Sequence, residues 1–162
     1  MPTIKKFNSP CFGFFSDYYS CSFSMKTTLA DAHIINLPKI SDPRGNLTFI
    51  EGDGRHIPFG IKRAYWIYDV PGGEKRGGHA YRANEEFIIA LSGSFDVVLD
   101  DGTERKTFSL NRSYFGLYVP SMVWRQLENF STNGVTLILA STQYAPEDYI
   151  RDYDAFIKEK RA

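Results

Sequence analysis

His79 and Tyr81 stand two residues apart in the run Gly77-Gly78-His79-Ala80-Tyr81-Arg82. On a strand, side chains alternate between faces, so the imidazole and the phenol share one face. Arg76 and Arg82 flank them, and the two glycines let the backbone approach a neighbour closely. Such a face offers a base of near-neutral pKa, a phenol and guanidinium groups. That is equipment for acid–base work on an anionic substrate. A strand histidine taken alone more often serves as a hydrogen-bonded structural group. The other two histidines, His33 in an apolar stretch and His56 before Ile57-Pro58, have no polar cluster around them and read as structural or exposed.

The elements that must carry these residues are short strands. Aromatic residues make up 15% of the 162-residue chain, with 13 Phe and 10 Tyr, and aromatics favour pleated, half-buried surfaces. From residue 32 to 141, apolar stretches alternate with turn signals. Ala32–Leu37, Leu47–Glu51, Ile61–Val70, Glu86–Leu91, Phe95–Leu99, Thr107–Leu110, Tyr114–Val119, Val123–Leu127 and Val135–Ser141 read as strands. Ser41–Asn46, Pro71-Gly72-Gly73, Ser92-Gly93-Ser94 and Asp101-Gly102 read as turns. The regular spacing predicts an all-β sandwich or barrel. A helix is expected from Pro146, with Tyr149, Ile150, Tyr153, Phe156 and Ile157 at helical spacing and Lys158, Lys160 and Arg161 at its C-terminal end. Its expected role is to cover one sheet.

Bulk numbers narrow the function classes. Hydrophobic residues at 43% and charged residues at 23% suit one globular domain. Lys plus Arg and Asp plus Glu number 19 each, so the basic excess of a nucleic-acid binder is missing. No apolar run reaches the ~18 residues of a membrane span. Residues 1–24 hold both cysteines, Cys11 and Cys21, and interrupt any signal-like core with Asn8, Ser9, Pro10, Ser16 and Asp17. They read as a disordered tail or a start-site artefact ahead of Met25, leaving 25–162 as a single domain. With no cysteine after residue 24, the body holds no disulfide, which suits the cytoplasm.

The spacing of Gly73, His79, Tyr81, Glu86 and Gly93 resembles the first cupin motif, and Gly116 and Pro120 echo the second. The resemblance implies a double-stranded β-helix, or jelly roll, here with the short C-terminal helix. Cupin metal sites use several imidazoles and a carboxylate. Tyr81 stands where a second histidine is usual, and Val123-Trp124-Arg125 supplies none. A neutral phenol is a poor ligand for the usual divalent metals, so no metal is expected.

A more specific resemblance covers residues 33 to 157. DPRGNLTFIEG, PFGIKRAYWIYDVPGGEKRGGHAYR, LSGSFDVVLDDG, YFGLYVPSMVW and LILASTQYAPEDYIRDYDAF resemble the sugar 3,4-ketoisomerases, relatives of the WxcM-like proteins. These enzymes act on thymidine-diphosphate-linked 4-keto-6-deoxyglucose. The resemblance implies a homodimer without cofactor that serves deoxysugar synthesis for surface polysaccharide. It implies a ketone moved from C4 to C3 through an enediol. Such chemistry needs a base, a second proton carrier and cationic support for the enediolate.

Carried onto this chain, the resemblance makes His79 the principal acid–base group and Arg76 a cationic partner. Tyr65 and Tyr68 match its aromatic pattern, and their spacing of three lets only one reach the site. Tyr68 is the favoured one, with Tyr65 as a substrate contact. Arg44, in the D-x-R-G turn, is expected at the diphosphate, with Arg82 as further phosphate support and Trp124 as a pocket wall. Tyr81 departs from the family's His-x-His. It is either the relay acid, a mark of a different step on a related keto sugar, or a sign of binding without catalysis. A related epimerase and a non-catalytic sugar-nucleotide-binding cupin therefore stay open beside the isomerase. The dimer interface is expected to include Ile34 and Ile35.

Overall fold

The computed structural model describes residues 27–162; the leader 1–24, with its two cysteines, lies outside them. In chain order the strands are β1 (His33–Asn36), β2 (Lys39–Asp42), β3 (Gly45–Thr48), β4 (Arg63–Ile67), β5 (Arg76–Tyr81), β6 (Glu86–Ser92), β7 (Phe95–Asp100), β8 (Arg105–Leu110), β9 (Phe115–Val119), β10 (Trp124–Glu128), β11 (Val135–Ala140) and β12 (Tyr149–Ile150). They form two five-stranded antiparallel sheets, ordered β1-β9-β6-β11-β4 and β12-β5-β10-β7-β8, plus the hairpin β2-β3. This is the jelly-roll, cupin-like arrangement that the strand count implied.

The expected turn at Ser41–Asn46 is the tip of that hairpin. Extended pairing runs to Asp42 and resumes at Gly45, so Pro43 and Arg44 alone make the bend. Asp42 closes it by accepting from the Arg44 backbone N–H at 2.9 Å and from Nε at 2.7 Å.

Strand alternation sorts the sheets into three apolar layers. Between the sheets lie Ile88, Ala90, Val97, Leu99, Leu117, Leu127 and Ile138. Outside the first sheet, Phe87, Ile89, Tyr118 and Leu139 pack beneath Leu37, Ile57 and Phe59. Outside the second, Ala80, Ile150 and Phe156 pack with Trp124. The inner layer turns polar toward one end. Arg63 and Tyr65 precede Ile67 on β4, Glu86 precedes Ile88 on β6, and Arg125 precedes Leu127 on β10.

The C-terminal segment departs from the single helix expected from Pro146. Pro146–Asp148 make one 3-10 turn, β12 pairs with β5, and the helix α1 runs only over Tyr153–Arg161. The reason is local. The Asp148 carboxylate accepts the backbone N–H groups of Ala83 at 2.7 Å and Asn84 at 3.1 Å, which pins the chain against β5. Asp152 is the true N-cap, accepting the Ala155 N–H at 2.8 Å. The helix does cover a sheet, as expected, through the fully buried Phe156. Phe156→Ala should therefore lower the unfolding free energy by about 3–5 kcal/mol. Urea titration of the two proteins checks this, and an unchanged midpoint would show that α1 is not docked.

Candidate active site

The polar end of the barrel collects His79 and Tyr81 from β5, Tyr65 and Arg63 from β4, Glu86 from β6, Arg125 from β10 and Tyr149 from β12. His79 is only 7% exposed. Its ring meets Tyr81 edge-on at 4.8 Å and Tyr149 at 4.9 Å, and the two tyrosine rings lie 4.6 Å apart. The β12–β5 register sets Tyr149 opposite Tyr81, so a two-residue strand supplies one wall of the site.

Beneath these rings lies a buried ion pair. Arg125 Nε donates to Glu86 Oε2 at 2.7 Å and Nη2 to Oε1 at 3.1 Å. Arg125 and Glu86 are both almost fully buried, and they come from different sheets. Tyr65 completes the group. Its hydroxyl donates to Glu86 Oε1, accepts from Arg125 Nη2 at 3.0 Å and lies 3.5 Å from the Tyr81 hydroxyl.

Gly77 makes room for this pair. A Cβ there would fall 2.6 Å from Arg125 Nη1, and its φ of +86° is the left-handed region that favours glycine. The close approach expected of the glycine pair is thus made by an arginine of the protein itself. The bulge at Gly77-Gly78 also shifts the register, so that Arg125 faces His79 while Leu127 faces Arg76.

The electrostatics follow from burial and from the guanidinium. Burial, and then the charge of Arg125, push the His79 imidazole down to about 3. Both ring nitrogens are buried without a close hydrogen bond, and the Gly77 backbone gives the charged ring only minor support, so the imidazole stands neutral. Burial alone would raise the Glu86 carboxyl; the Arg125 charge, joined by the hydrogen bonds from Arg125 and Tyr65, outweighs it and holds the carboxyl below its ordinary value. Burial raises both Tyr65 and Tyr81, so both phenols keep their protons. Among the described residues no three His, Cys, Asp or Glu side chains come together. Both oxygens of Glu86, the carboxylate of the cupin-like spacing, are engaged by Arg125 and Tyr65.

Several expected residues fall elsewhere. Tyr68 lies past the end of β4 and is 58% exposed; Tyr65, facing inward on the strand, is the tyrosine that reaches the cluster. Trp66, between them, points outward. Arg76 stands at the far end of β5, about 10 Å along the strand from His79, and lines a surface pocket with Trp66 and Tyr68. Arg82 is spent on the fold. It donates to Glu159 at 2.9 and 2.6 Å, to the Glu147 carbonyl and to the Tyr149 carbonyl at 3.3 Å, tying β5 to the C-terminal segment. Arg44, 91% exposed at the hairpin tip, pairs with Asp42. Trp124 points outward from β10 and packs edge-on against Tyr153 at 5.2 Å, under α1.

Sequence reasoning missed Arg63, Arg125, Tyr149 and Arg151. The Arg63 guanidinium lies 5.2 Å from the Tyr65 ring and 5.7 Å from that of Tyr144, with a buried Nε that has no partner. Arg151 covers the Tyr149 ring at 4.3 Å. Inward alternation along β4 and β10 was the available signal for Arg63 and Arg125.

A neutral imidazole flanked by phenols, in the polar end of a closed jelly roll rimmed by guanidinium groups, defines a cupin-like acid–base site. Comparison with known proteins narrows this class. Residues 30–161 match the family described as WxcM-like, C-terminal, and the chain belongs to that family. It is 45% identical over 125 residues to the TDP-4-oxo-6-deoxy-alpha-D-glucose-3,4-oxoisomerase of Aneurinibacillus thermoaerophilus, spanning 77% of this chain and 89% of that protein. The sugar 3,4-ketoisomerase of Thermoanaerobacterium thermosaccharolyticum, solved in complex with TDP, is 39% identical with a TM-score of 0.80, over 83% of this chain and 97% of that one. The dTDP-4-dehydrorhamnose 3,5-epimerase of Bacillus anthracis, at 16% identity and a TM-score of 0.66 over 77% of this chain and 80% of that one, shares the fold.

The depressed imidazole has a consequence for stability. Between about pH 3 and 6.5 the unfolded chain binds a proton at His79 that the folded chain refuses. Stability from this group is therefore full above pH 6.5 and is lost as pH falls toward 3. His79→Asn should flatten the pH dependence of the urea midpoint over pH 6.5 to 4. Identical slopes in the two proteins would show that His79 titrates normally.

Proposed function

We propose that this protein moves the keto group of a thymidine-diphosphate-linked 4-keto-6-deoxyhexose from C4 to C3, as a step in deoxysugar synthesis for surface polysaccharide. The observation that carries the reading is His79. It is a buried neutral imidazole with neither nitrogen held by a close hydrogen bond, set against two phenols, in a chain 45% identical to a 3,4-oxoisomerase. His79 takes the C3 proton, an enediol forms, and C4 is reprotonated. The ring's low pKa in the free protein rises toward neutrality when an anionic diphosphate arrives, because a nearby negative charge favours imidazolium. Arg63 and Arg151 are the groups placed to meet that anion, in the part the sequence reading gave to Arg44, Arg76 and Arg82. Tyr81 is the second proton carrier in place of the family histidine. The rearrangement is redox-neutral within the sugar, so it calls for no cofactor. With Glu86 already occupied, a metal has no carboxylate at this site.

Tyr81 keeps two alternatives alive: epimerisation, which also begins with loss of the C3 proton, and binding without turnover. NMR of the sugar after incubation with the 4-keto sugar nucleotide separates them. A carbonyl that moves to C3 is the expected result; inversion alone or an unchanged sugar points to the alternatives. His79→Asn should lower turnover by about 10²–10⁴-fold with nucleotide binding retained. Full activity in that variant would remove His79 from the mechanism.

The active unit we infer is a homodimer in the cytoplasm. A cavity of about 850 Å³ lies outside the first sheet rather than at His79, lined by Leu37, Ile89, Leu91, Tyr114, Leu137 and Leu139. Phe49 and Leu91 line this cavity and are exposed, Ile40 and Leu47 are exposed on the hairpin that borders it, Ile35 packs in the layer beneath, and Ile34 is exposed on the other face of β1. Apolar surface of this kind suits a second copy. No helix among the described residues is long and apolar enough to cross a membrane. Light scattering at micromolar concentration should give a dimer, and Leu91→Glu a monomer; a wild-type monomer would refute the interface.

A further inference from the structure

Tyr65 has one proton to give, and in this fold it is committed. Its hydroxyl donates to Glu86 Oε1 and accepts from Arg125 Nη2. A phenol has a single O–H and two lone pairs. One lone pair is therefore left facing the Tyr81 hydroxyl, and at 3.5 Å that contact is too long to hold the Tyr81 hydrogen.

We propose that the buried Glu86–Arg125 pair acts as a positioning device: it holds the Tyr65 hydroxyl as an acceptor and so assigns Tyr81, not Tyr65, as the hydroxyl that hands a proton to the substrate oxygen. The inference rests on the isomerase reading and adds a division of labour to it. Moving a ketone from C4 to C3 requires one carrier to accept the proton leaving the oxygen on C3 and to give one to the oxygen on C4. A hydroxyl does this when it can accept with one lone pair while donating its own hydrogen. Tyr81 lies against His79, and no carboxylate holds its hydrogen, so it can turn that hydrogen to a bound oxygen. Tyr65 cannot, because its hydrogen is held by a carboxylate.

The arrangement is built rather than incidental. Glu86 and Arg125 come from opposite sheets, both are buried, and they meet through two hydrogen bonds. A glycine with positive φ is required beneath the guanidinium. A buried pair of this kind is seldom worth keeping for stability alone, since well-packed apolar residues often do as well.

The test is a double-mutant cycle on the full chain, with urea unfolding to confirm that each variant folds. Glu86→Gln keeps the shape of Glu86 but removes the charge that fixes the Tyr65 proton. It should lower kcat on the order of 10–10²-fold, the scale of a mispositioned group, with KM for the sugar nucleotide nearly unchanged. Glu86→Gln combined with Tyr65→Phe should be no slower than Tyr65→Phe alone, because Glu86 then has no hydroxyl to hold. Losses that multiply in the double variant would overturn the proposal. A second readout is independent of turnover. A phenolic proton held by a buried carboxylate should give a downfield proton NMR resonance in the wild type that disappears in Tyr65→Phe. Its absence from the wild type, or its survival in Tyr65→Phe, overturns the proposal, and these two spectra decide the matter even if Glu86→Gln does not fold. A wild type that shows the resonance yet turns over no 4-keto sugar nucleotide would sink the isomerase reading while upholding the hydroxyl arrangement.

Discussion

The interior of this barrel is organised around one ion pair. Arg125 and Glu86 are charged groups taken almost completely out of water, a step that costs several kcal/mol per ion unless each finds full compensation. The compensation comes from opposite sheets: Glu86 from β6, Arg125 from β10, and the Tyr65 hydroxyl from β4. Glu86 and Arg125 require each other, because removing either leaves a charge buried without a partner. The pair also sets the field in which the imidazole sits. A guanidinium so close to His79 favours the neutral ring, while the carboxylate beside it limits the effect. The strand geometry of β5 answers to the same constraint. Gly77 cannot carry a side chain without striking Arg125, and the bulge there brings His79 opposite the arginine.

The second requirement is a lid for the polar end. The barrel delivers His79 and Tyr81 to the end of β5, where a sheet edge would otherwise face solvent. Two residues of β12 pair with that edge and bring Tyr149 over both rings. Their position depends on polar contacts made outside the site. Asp148 caps the Ala83 and Asn84 N–H groups, and Arg82 grips Glu159 and two carbonyls. Arg82 therefore anchors the wall that carries Tyr149, with its donors engaged by Glu159 and two carbonyls. Phe156, Ile150 and Trp124 supply the apolar part of the same docking.

The first sheet divides its labour by face. Alternation sends Glu86 and Tyr65 inward to the reacting end, and Ile89, Leu137 and Leu139 outward to the apolar cavity. The apolar cavity is thus on the back of the sheet, while the imidazole, phenols and ion pair lie in the interior. For an anionic sugar nucleotide the polar end is the better match, since guanidinium groups and phenols meet phosphate and hydroxyls there.

What the sequence determined by itself was local. Period-two alternation placed His79 and Tyr81 on one face, turn residues marked most strand ends, and the spacing from Gly73 to Gly93 pointed to the jelly roll. The resemblance to sugar 3,4-ketoisomerases rested on the same short motifs. Each of these signals is carried by residues close together along the chain. The tertiary structure decided which distant groups complete the site. Of the nominated arginines, Arg76 lies across from Leu127, Arg82 ties down the C-terminus and Arg44 pairs at a hairpin tip. The arginines beside the ring cluster are instead Arg125, close to His79 and Tyr81, and Arg63, close to Tyr65. The choice between Tyr65 and Tyr68 turned on where β4 ends, and Tyr149 was read as helical because its spacing from Ile150 and Tyr153 is helical. Alternation fixes the face of a side chain but not its partner across a sheet. That partner is set by register, by a one-residue bulge at Gly77-Gly78 and by the docking of a segment about seventy residues further on, none of which is encoded in any short stretch of the chain.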